Sequence, residues 1–225
     1  MSSIEYEIIK SEDGSNSLQI KNSEITFHST RGAIQESRHV FINAGLRYFV
    51  AQHPKAKQVK IFEVGFGTGL NALLTGIEAP KLNTIVEFHS IDLHPLPESI
   101  FFKLNYAEIL NKFELYWAIT QTSWNQLVFI HSFLKLKKII GNLTTHVFNE
   151  KFDILYFDAF APNDQPELWT EEIFEKLYLS LNIGSVFVTY CSKSNVQRAL
   201  QNVGFYIEKL PGPPGKREIL RAVKK

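Results

Sequence analysis

Short apolar runs alternate with amphipathic segments from residue 59 to the end of the chain. The apolar runs predict strands at VKIFEV, TIVEFHSID, LKKII, FDILYFD and GSVFVTYC. The amphipathic segments predict helices from Asn71, at PELWTEEIFEKLYLSL and at SNVQRALQNVG. Repeated strand–helix units predict an α/β fold with a mostly parallel sheet and helices on both faces. FYIEKL and REILRAV, joined by PGPPGK, predict two final strands that pair antiparallel at the sheet edge.

Residues 1–50 precede this alternation and form a predicted N-terminal extension. IEYEIIK and SLQIK flank the turn-rich SEDGSN, which predicts a hairpin. HVFINAGLRYFVAQ predicts a helix that ends before Pro54, although Gly45 costs that helix about 1 kcal/mol relative to alanine. Its apolar face comprises Ile42, Leu46, Phe49 and Val50. Residues from about 97 to 133 are rich in aromatic side chains and predict a helical insertion.

The composition suits a single domain spanning residues 1–225, with 44% hydrophobic residues available for a core. The chain has no apolar run of transmembrane length, and its N-terminus lacks the basic and apolar segments of a signal peptide. The lone Cys191 excludes an internal disulfide and fits a reducing compartment. The seven histidines are scattered, without metal-ligand spacing. We therefore expect a cytoplasmic protein without a metal centre.

Charge is unevenly distributed along the chain. The net charge is +1, but the segment from Lys193 to the end has eight basic and two acidic residues, a balance of +6 that leaves −5 for the rest. This asymmetry hints at an anionic partner near the C-terminal part. Three lysines of another segment add to a possible basic patch: Lys135, Lys137 and Lys138. A solvated basic surface explains the charge distribution equally well.

The segment EVGFGTGLN places a glycine loop between a predicted strand and a predicted helix. Gly65, Gly67 and Gly69 let the backbone turn tightly and let a ligand approach, while the helix directs its N–H groups towards the site. The spacing differs from the Gly-x-Gly-x-x-Gly of dinucleotide sites. Glu63 lies two residues before the first glycine, where a carboxylate repels a pyrophosphate but suits hydroxyl or ammonium groups.

Asp92 ends the second predicted strand, 23 residues after Gly69. An acid at this position suits the two hydroxyls of a ribose. An acid in the loop, an acid for ribose and no phosphate together fit S-adenosylmethionine (SAM). A strand-to-helix turn that requires glycine only for its backbone explains the loop alone, but it leaves Asp92 unexplained.

Asp158 ends the fourth predicted strand, in LYFDAFAPNDQPELWTEE. The carboxyl ends of parallel strands surround the ligand site in such sheets, so Asp158 is expected to face the donor methyl group. A carboxylate there can orient an ammonium and relay its proton to water, which suits an amine acceptor. The following helix is predicted to begin near Pro166 with Asp164 as its N-cap, which leaves Asp158 free for chemistry. Trp169 suits a core position and a pocket wall equally well.

Six segments together resemble the methyltransferase domain of the bifunctional tRNA-modifying protein MnmC and its stand-alone form, MnmD. They are TFHSTRGAIQESRHVFINAGL, EVGFGTGLN, SIDLHPL, FDAFAPNDQPELWT, TYCSKSNVQRALQNVGF and PGPPGKREILRA. The resemblance implies a Rossmann-like class I SAM-dependent methyltransferase. It further implies methyl transfer to the amine of 5-aminomethyl-(2-thio)uridine at the tRNA wobble position, which gives 5-methylaminomethyl-(2-thio)uridine.

The resemblance also implies roles for individual residues. The cofactor residues are expected to be Glu63, Gly65, Gly67, Gly69, Asn71, Asp92 and Asn142. Asp158 is expected to face the acceptor amine. The substrate residues are expected to be Glu36, Ser37, Arg38, Trp169, Lys216 and Arg217, the last two near the anticodon region of the tRNA. Asn142 departs from the family, which usually has aspartate there, and still offers an acceptor to the adenine amino group.

The bifunctional relatives also carry a flavin-dependent domain that prepares the aminomethyl group. The 225 residues leave no room for it, so a separate enzyme is expected to supply the substrate. Two other functions stay open. An aminopropyltransferase of the spermidine-synthase type has a similar fold and a similar strand-end acid. A non-catalytic tRNA-binding domain is the second, although intact Glu63, Asp92 and Asp158 argue against it.

Overall fold

A computed structural model describes residues 4–225, which contain ten strands and a series of short helices. The strands are β1 (Tyr6–Lys10), β2 (Asn16–Ile20), β3 (Gln58–Val64), β4 (Ile85–Asp92), β5 (Leu127–His131), β6 (Leu134–Ile140), β7 (Phe152–Phe157), β8 (Leu181–Thr189), β9 (Phe205–Pro211) and β10 (Glu218–Lys224). The helices are α1 (Ala33–Ser37), a π-helical segment (Arg38–Arg47), α2 (Tyr48–Gln52), α3 (Leu70–Glu78), α4 (Glu98–Phe101), α5 (Tyr106–Leu110), α6 (Phe113–Gln121), α7 (Glu171–Leu179) and α8 (Ser194–Asn202), with a 3₁₀ turn at Pro166–Leu168.

The main sheet has eight strands in the order β5-β6-β4-β3-β7-β8-β10-β9. Its five central strands, from β6 to β8, run parallel. β10 lies antiparallel between β8 and β9, and β5 lies antiparallel to β6 at the other edge. The predicted mostly parallel sheet with an antiparallel edge is therefore confirmed. The predicted N-terminal hairpin is also confirmed, as a separate sheet of β1 and β2.

Both faces of the main sheet are covered, which explains why the side chains on both faces of the central strand β7 are buried. Ile154 and Tyr156 of β7 belong to the core formed with the N-terminal helical segments and α3. Leu155 and Phe157 alternate with them and belong to the core formed with α7 and α8. Burying each large apolar side chain contributes about 1.5–3 kcal/mol. The sheet thus fixes the ends of its strands, where ligand sites of open α/β sheets lie.

The extent of the predicted helical insertion is wrong in its second part. Helices occupy residues between 98 and 121, but Leu127–His131 is the edge strand β5. It pairs antiparallel with β6 after a short turn at residues 132–133. Apolar residues are spread over the whole run LVFIHSFLKLKKII, so its composition does not distinguish one long helix from two paired strands. The pairing depends on contact with β6.

The N-terminal helix begins earlier than predicted, at Ala33, and continues to Gln52 through the π-helical segment. Gly45 lies inside this segment, against β7 and β8. A Cβ atom there would lie 3.1 Å from the Tyr156 ring and 3.2 Å from Val188. The glycine that weakens the helix by propensity therefore allows its close approach to the sheet. None of the helices formed by residues 4–225 combines the length and apolarity needed to cross a membrane.

Gly45→Val is expected to destabilise the fold by about 2–3 kcal/mol, because its side chain would overlap Tyr156 and Val188. Ala51→Val serves as the matched control, since Ala51 is exposed in the same run of helix and the change costs only about 0.5 kcal/mol in helix propensity. Denaturant unfolding of the two variants and the parent measures the difference. Equal stability of the two variants would contradict the proposed close packing.

Candidate active site

A cavity of about 440 Å³ opens at the carboxyl ends of β3, β4, β7 and β8. The predicted site residues that line it are Glu36, Gly65, Gly67, Asn71, Asp92, Asn142, Asp158 and Lys216. Residues from the N-terminal extension, the glycine loop and the loop between β9 and β10 thus meet in one place. These residues lie between positions 36 and 216 of the sequence, and the fold of the parallel sheet brings them together.

The glycine loop follows β3 and approaches β7 very closely. Gly65 has φ +92°, and a Cβ atom there would lie only 2.8 Å from the carbonyl oxygen of Asp158. Gly69 also has a positive φ, of 72°, and forms the N-cap of α3. Only glycine adopts these conformations freely. The loop therefore depends on its glycines for its own shape as well as for the access of a ligand.

Acids surround the glycine loop. Asp92 accepts hydrogen bonds from the backbone N–H of Gly67 through Oδ2 and of His94 through Oδ1, both at 2.9 Å. Glu63 is fully buried behind the loop and accepts a 2.5 Å hydrogen bond from Ser90. Burial raises the pKa of Glu63 well above its usual value, and the charge of Asp158 raises it further. Adding a cation near these acids is electrostatically favourable, whereas a pyrophosphate is repelled.

Asp158 lies at the end of β7 and faces the cavity. Asn71 donates a hydrogen bond of 2.8 Å to its Oδ2 atom, so Asn71 positions this acid. Burial, together with the nearby charge of Glu36, raises the pKa of Asp158 to about 7, although Asn71 and Lys216 oppose the rise. A carboxyl group with this pKa exchanges its proton near neutral pH, which suits a general base.

Glu36 is buried on α1 and lines the cavity. Its Oε2 atom contacts the ammonium of Lys216, from the loop between β9 and β10, in an ion pair. The same ammonium lies 4.0 Å from the centre of the Tyr190 ring. A carboxylate and an aromatic face together form a favourable environment for a cation.

The N-terminal extension covers part of the cavity with residues that the sequence analysis missed. Phe27 lies over Gly67 and packs edge-to-face against Tyr6 and Phe160. His28 shares a 2.8 Å hydrogen bond with Thr68, and burial lowers its pKa to about 4, so the imidazole is neutral. Phe27 and His28 belong to the segment TFHS, which the resemblance included, but nothing in their local pattern predicts a long-range contact with the glycine loop.

Several predicted site residues lie outside the cavity lining. Ser37 is buried, and Arg38 is exposed on another surface. Trp169 is buried and donates a 2.8 Å hydrogen bond to the carbonyl of Phe160, so it supports the loop after β7. Arg217 is exposed beside Lys216. Glu63 and Gly69 lie behind the cavity wall.

Two further predictions about loops and charges are corrected. The N-cap of α7 is Thr170, whose hydroxyl accepts from the N–H of Ile173, and not Asp164. Lys138 is fully buried and donates to the carbonyl of Thr120 at 2.7 Å, so it cannot belong to a basic surface. In both cases a tertiary contact decides the role of the side chain.

Asn142 lines the cavity, but its side chain is already engaged. Its Oδ1 atom accepts hydrogen bonds from the N–H and the hydroxyl of Thr144, at 2.9 and 2.8 Å. The Asn142 oxygen therefore stabilises its own loop with both of its lone pairs, which leaves the N–H groups of the side-chain amide for a ligand.

Outside the cavity, side chains of β4 and of the segment before β7 form a potential metal-binding group. One ligand atom each of Glu87, His89 and Glu150 lie within 4.8 Å of one another. Lys60 lies among them, 2.6 Å from Glu150 and 3.5 Å from Glu87. The Lys60 ammonium thus already supplies a positive charge to these carboxylates. Glu150 lies about sixty residues after the pair on β4, which explains why the sequence spacing did not indicate the group.

The cavity fits SAM in its charge and in its backbone. Buried acids favour a ligand that carries a sulfonium and an ammonium, and the glycine loop leaves no side chain between the strand end and the ligand. Among residues 4–225, Asn71 Oδ1 and Glu63 Oε1 are buried acceptors that receive no hydrogen bond. Buried acceptors of this kind are usually satisfied by a ligand or by water.

The sheet order, the glycine loop and the strand-end acids define the class of protein, an enzyme with the Rossmann-like fold of class I methyltransferases. A sequence profile of the S-adenosyl-L-methionine-dependent methyltransferases matches residues 105–225. The chain belongs to this family, and SAM is its cofactor.

Individual proteins that are similar to this chain carry names from the biosynthesis of a modified tRNA nucleoside. The chain is 30% identical over 213 residues to the tRNA 5-methylaminomethyl-2-thiouridine biosynthesis bifunctional protein MnmC of Nitrosospira multiformis, covering 87% of this chain and 33% of that protein. The corresponding protein of Idiomarina loihiensis is 29% identical over 209 residues, covering 86% and 34%. The chain thus spans about a third of the length of the curated relatives it matches. The predicted resemblance to MnmC is confirmed.

Two solved structures place these matches in a structural context. MnmC2 of Aquifex aeolicus superposes with a TM-score of 0.81 at 26% identity, covering 100% of this chain and 71% of that chain. Spermidine synthase of Thermotoga maritima gives a TM-score of 0.59 at 16% identity, covering 99% and 70%. The second likeness concerns the fold alone.

Asp158→Asn is expected to stabilise the protein at pH 8 by on the order of 2–4 kcal/mol and to change little near pH 4. In the unfolded chain the carboxyl loses its proton near pH 4, whereas in the folded protein it keeps the proton up to about pH 7. Stability therefore falls as the pH rises from about 4 to 7, and the amide avoids this loss. Calorimetric unfolding at pH 5 and pH 8 measures the effect. The exposed Asp164→Asn is the control, and an equal gain at both pH values would contradict the buried acid.

Proposed function

We propose that this chain transfers a methyl group from SAM to the primary amine of 5-aminomethyl-(2-thio)uridine at the wobble position of tRNA. The observation that carries the proposal is the pair of carboxylates, Asp158 and Glu36, that face one cavity beside the glycine loop. They suit an acceptor that arrives as a cation. The names of the relatives at about 30% identity supply the nucleoside.

Asp158 orients the amine and receives its proton. A primary alkyl amine has a pKa near 10.4 and arrives protonated, so it must lose a proton before its lone pair can attack. A carboxylate with a pKa of about 7 accepts the hydrogen bond of the ammonium and passes the proton towards water. Asn71, through its 2.8 Å hydrogen bond, fixes the direction of this carboxylate.

The chain also contributes to the proposed reaction by positioning SAM and the acceptor amine. SAM supplies a methyl group that is already activated by a positively charged sulfur. The glycine loop, Asp92 and Glu63 are proposed to hold this cofactor, and the N-terminal segment around Phe27 is proposed to exclude water above it. Holding the nitrogen and the methyl carbon in line at near-contact distance contributes several kcal/mol. The glycine loop contacts the backbone of Asp158 at Gly65. We propose that this contact fixes the position of the acceptor amine relative to the donor methyl group.

The proposal has consequences for the cellular setting. The reaction begins from a preformed aminomethyl group, which we propose that a separate enzyme supplies. A tRNA acceptor implies work in the cytoplasm and contact with the anticodon region. We also propose that residues 1–225 act as one methyltransferase domain, in which the N-terminal extension covers the cofactor.

Methyl transfer is tested directly by incubating the protein with SAM and tRNA that bears 5-aminomethyl-uridine. Nucleoside mass spectrometry is expected to show the gain of one methyl group, dependent on SAM. Asp158→Ala is expected to retain SAM binding by calorimetry and to lose at least about 100-fold in transfer rate. Glu175→Ala, an exposed change on α7 outside the cavity, is the control.

Three other results of these measurements would each contradict part of the proposal. SAM binding without any transfer to tRNA would contradict the proposed substrate and would favour a non-catalytic domain. Transfer of an aminopropyl group to small amines from decarboxylated SAM would establish the spermidine-synthase type instead. Loss of SAM binding in Asp158→Ala would assign Asp158 to the cofactor.

Arg217→Ala is expected to weaken the binding of any tRNA uniformly and to reduce the slope of log affinity against log salt by about 1. Arg217 is exposed in the loop between β9 and β10, next to the cavity residue Lys216. Lys55→Ala is the matched control, because Lys55 is exposed before β3, at the amino ends of the parallel strands and so opposite the cavity. Filter binding at several salt concentrations gives both slopes, and identical slopes for Arg217→Ala and the parent would remove Arg217 from the interface.

A further inference from the structure

The ammonium of Lys216 lies inside the cavity, where it contacts the buried carboxylate of Glu36 and the face of Tyr190. Its charge also acts on Asp158, since it opposes the rise in the pKa of that acid. A lysine of the chain itself therefore places a primary ammonium next to the acid that we assign to the acceptor amine. Methyl acceptor and Lys216 carry the same functional group.

The two groups that receive this ammonium are held rigidly. Glu36 belongs to α1, and its Oε1 atom accepts a 3.2 Å hydrogen bond from the N–H of Ser29. Tyr190 directly follows β8, and its hydroxyl donates a 2.8 Å hydrogen bond to the carbonyl of Ala159. A fixed carboxylate and a fixed aromatic face form a preorganised cation site, with an attraction that strengthens as water is excluded.

The group that fills the site is held less firmly. Lys216 lies on a short loop between β9 and β10 that contains Gly212 and Gly215, the latter with φ +86°. Its side chain is 28% exposed, whereas that of Glu36 is 10% exposed. Glu36 Oε2 receives no hydrogen bond of normal geometry from residues 4–225, so its contact with Lys216 is an ion pair alone. The lysine can therefore leave towards solvent while the receiving groups stay in place.

We propose that Glu36 and the face of Tyr190 form an ammonium subsite, which Lys216 fills until the ammonium of the acceptor displaces it. The identity of the natural amine rests on the proposed function. Once displaced, Lys216 turns towards solvent. A uridine without an aminomethyl group leaves Lys216 in place, so Lys216 competes only with a substrate that carries an ammonium.

The subsite is tested without RNA by replacing the lysine with a free amine. Lys216→Ala removes three methylenes and the ammonium, and n-propylammonium supplies the same atoms. The compound is expected to raise the melting temperature of Lys216→Ala with the logarithmic concentration dependence of a ligand of the folded state, by about 3 °C at ten times its dissociation constant, and to leave the parent unchanged. 1-Propanol, which has a similar shape and no charge, and KCl at equal ionic strength are the controls. The double variant Glu36→Gln/Lys216→Ala is expected to lose the response.

A response to propylammonium that equals the response to propanol would overturn the subsite. An equal response of the parent and Lys216→Ala would overturn it as well, because Lys216 would then not occupy the same place. Neither outcome depends on methyl transfer, so failure of the proposed function leaves this result interpretable.

The displacement by tRNA is tested with two tRNAs that differ only in the aminomethyl group. Lys216→Met keeps the apolar stem and removes the charge, which removes the competitor of the substrate ammonium. The affinity ratio of aminomethyl to unmodified tRNA is expected to rise about tenfold in this variant, measured with S-adenosylhomocysteine present. The ratio cancels any phosphate contact that Lys216 makes with both tRNAs. An unchanged or lower ratio would contradict displacement, even if methyl transfer itself is confirmed.

Discussion

The close approach of two strand ends is the constraint on which the site depends. The N–H of Asp158 donates to the carbonyl of Val64 at 3.0 Å, and the carbonyl of Asp158 leaves no space for a side chain at Gly65. The loop that we propose to hold the cofactor and the acid that we propose to face the acceptor are thereby joined through backbone atoms. A larger residue at position 65 would separate donor from acceptor, and small displacements of reacting groups reduce rates strongly.

This arrangement gathers acids that are unfavourable for folding. Burial raises the pKa values of Glu63 and Asp158, so each carboxylate costs free energy when it ionises in the folded protein. Such clusters are typical of functional sites, where stability is given up for chemistry. Cations reduce the cost. In the structure Lys216 supplies one beside Glu36, and the cofactor and the amine are expected to supply two more.

The sequence predicted the sheet well because strands such as β7 are buried on both faces and read as short apolar runs between helices. Asp92 and Asp158 lie at the strand ends where the pattern placed them. Other features depend on contacts between distant segments, which local patterns do not encode. The edge strand β5 pairs with β6, and Phe27 of the N-terminal extension contacts the glycine loop. Asn71, which was expected among the cofactor residues, donates a hydrogen bond to Asp158.

The uneven charge of the chain also acquires a different meaning in three dimensions. Much of the C-terminal excess is used inside the protein. Arg221 pairs with Glu208 at 2.6 Å, Lys224 donates to the carbonyls of Tyr178 and Leu181, and Lys216 pairs with Glu36. The number of basic residues in the C-terminal segment therefore overstates the positive electrostatic potential that an anionic partner meets. The tRNA binding that we propose therefore depends on the cations that stay exposed, such as Arg217, and the position of a charge matters more than the total.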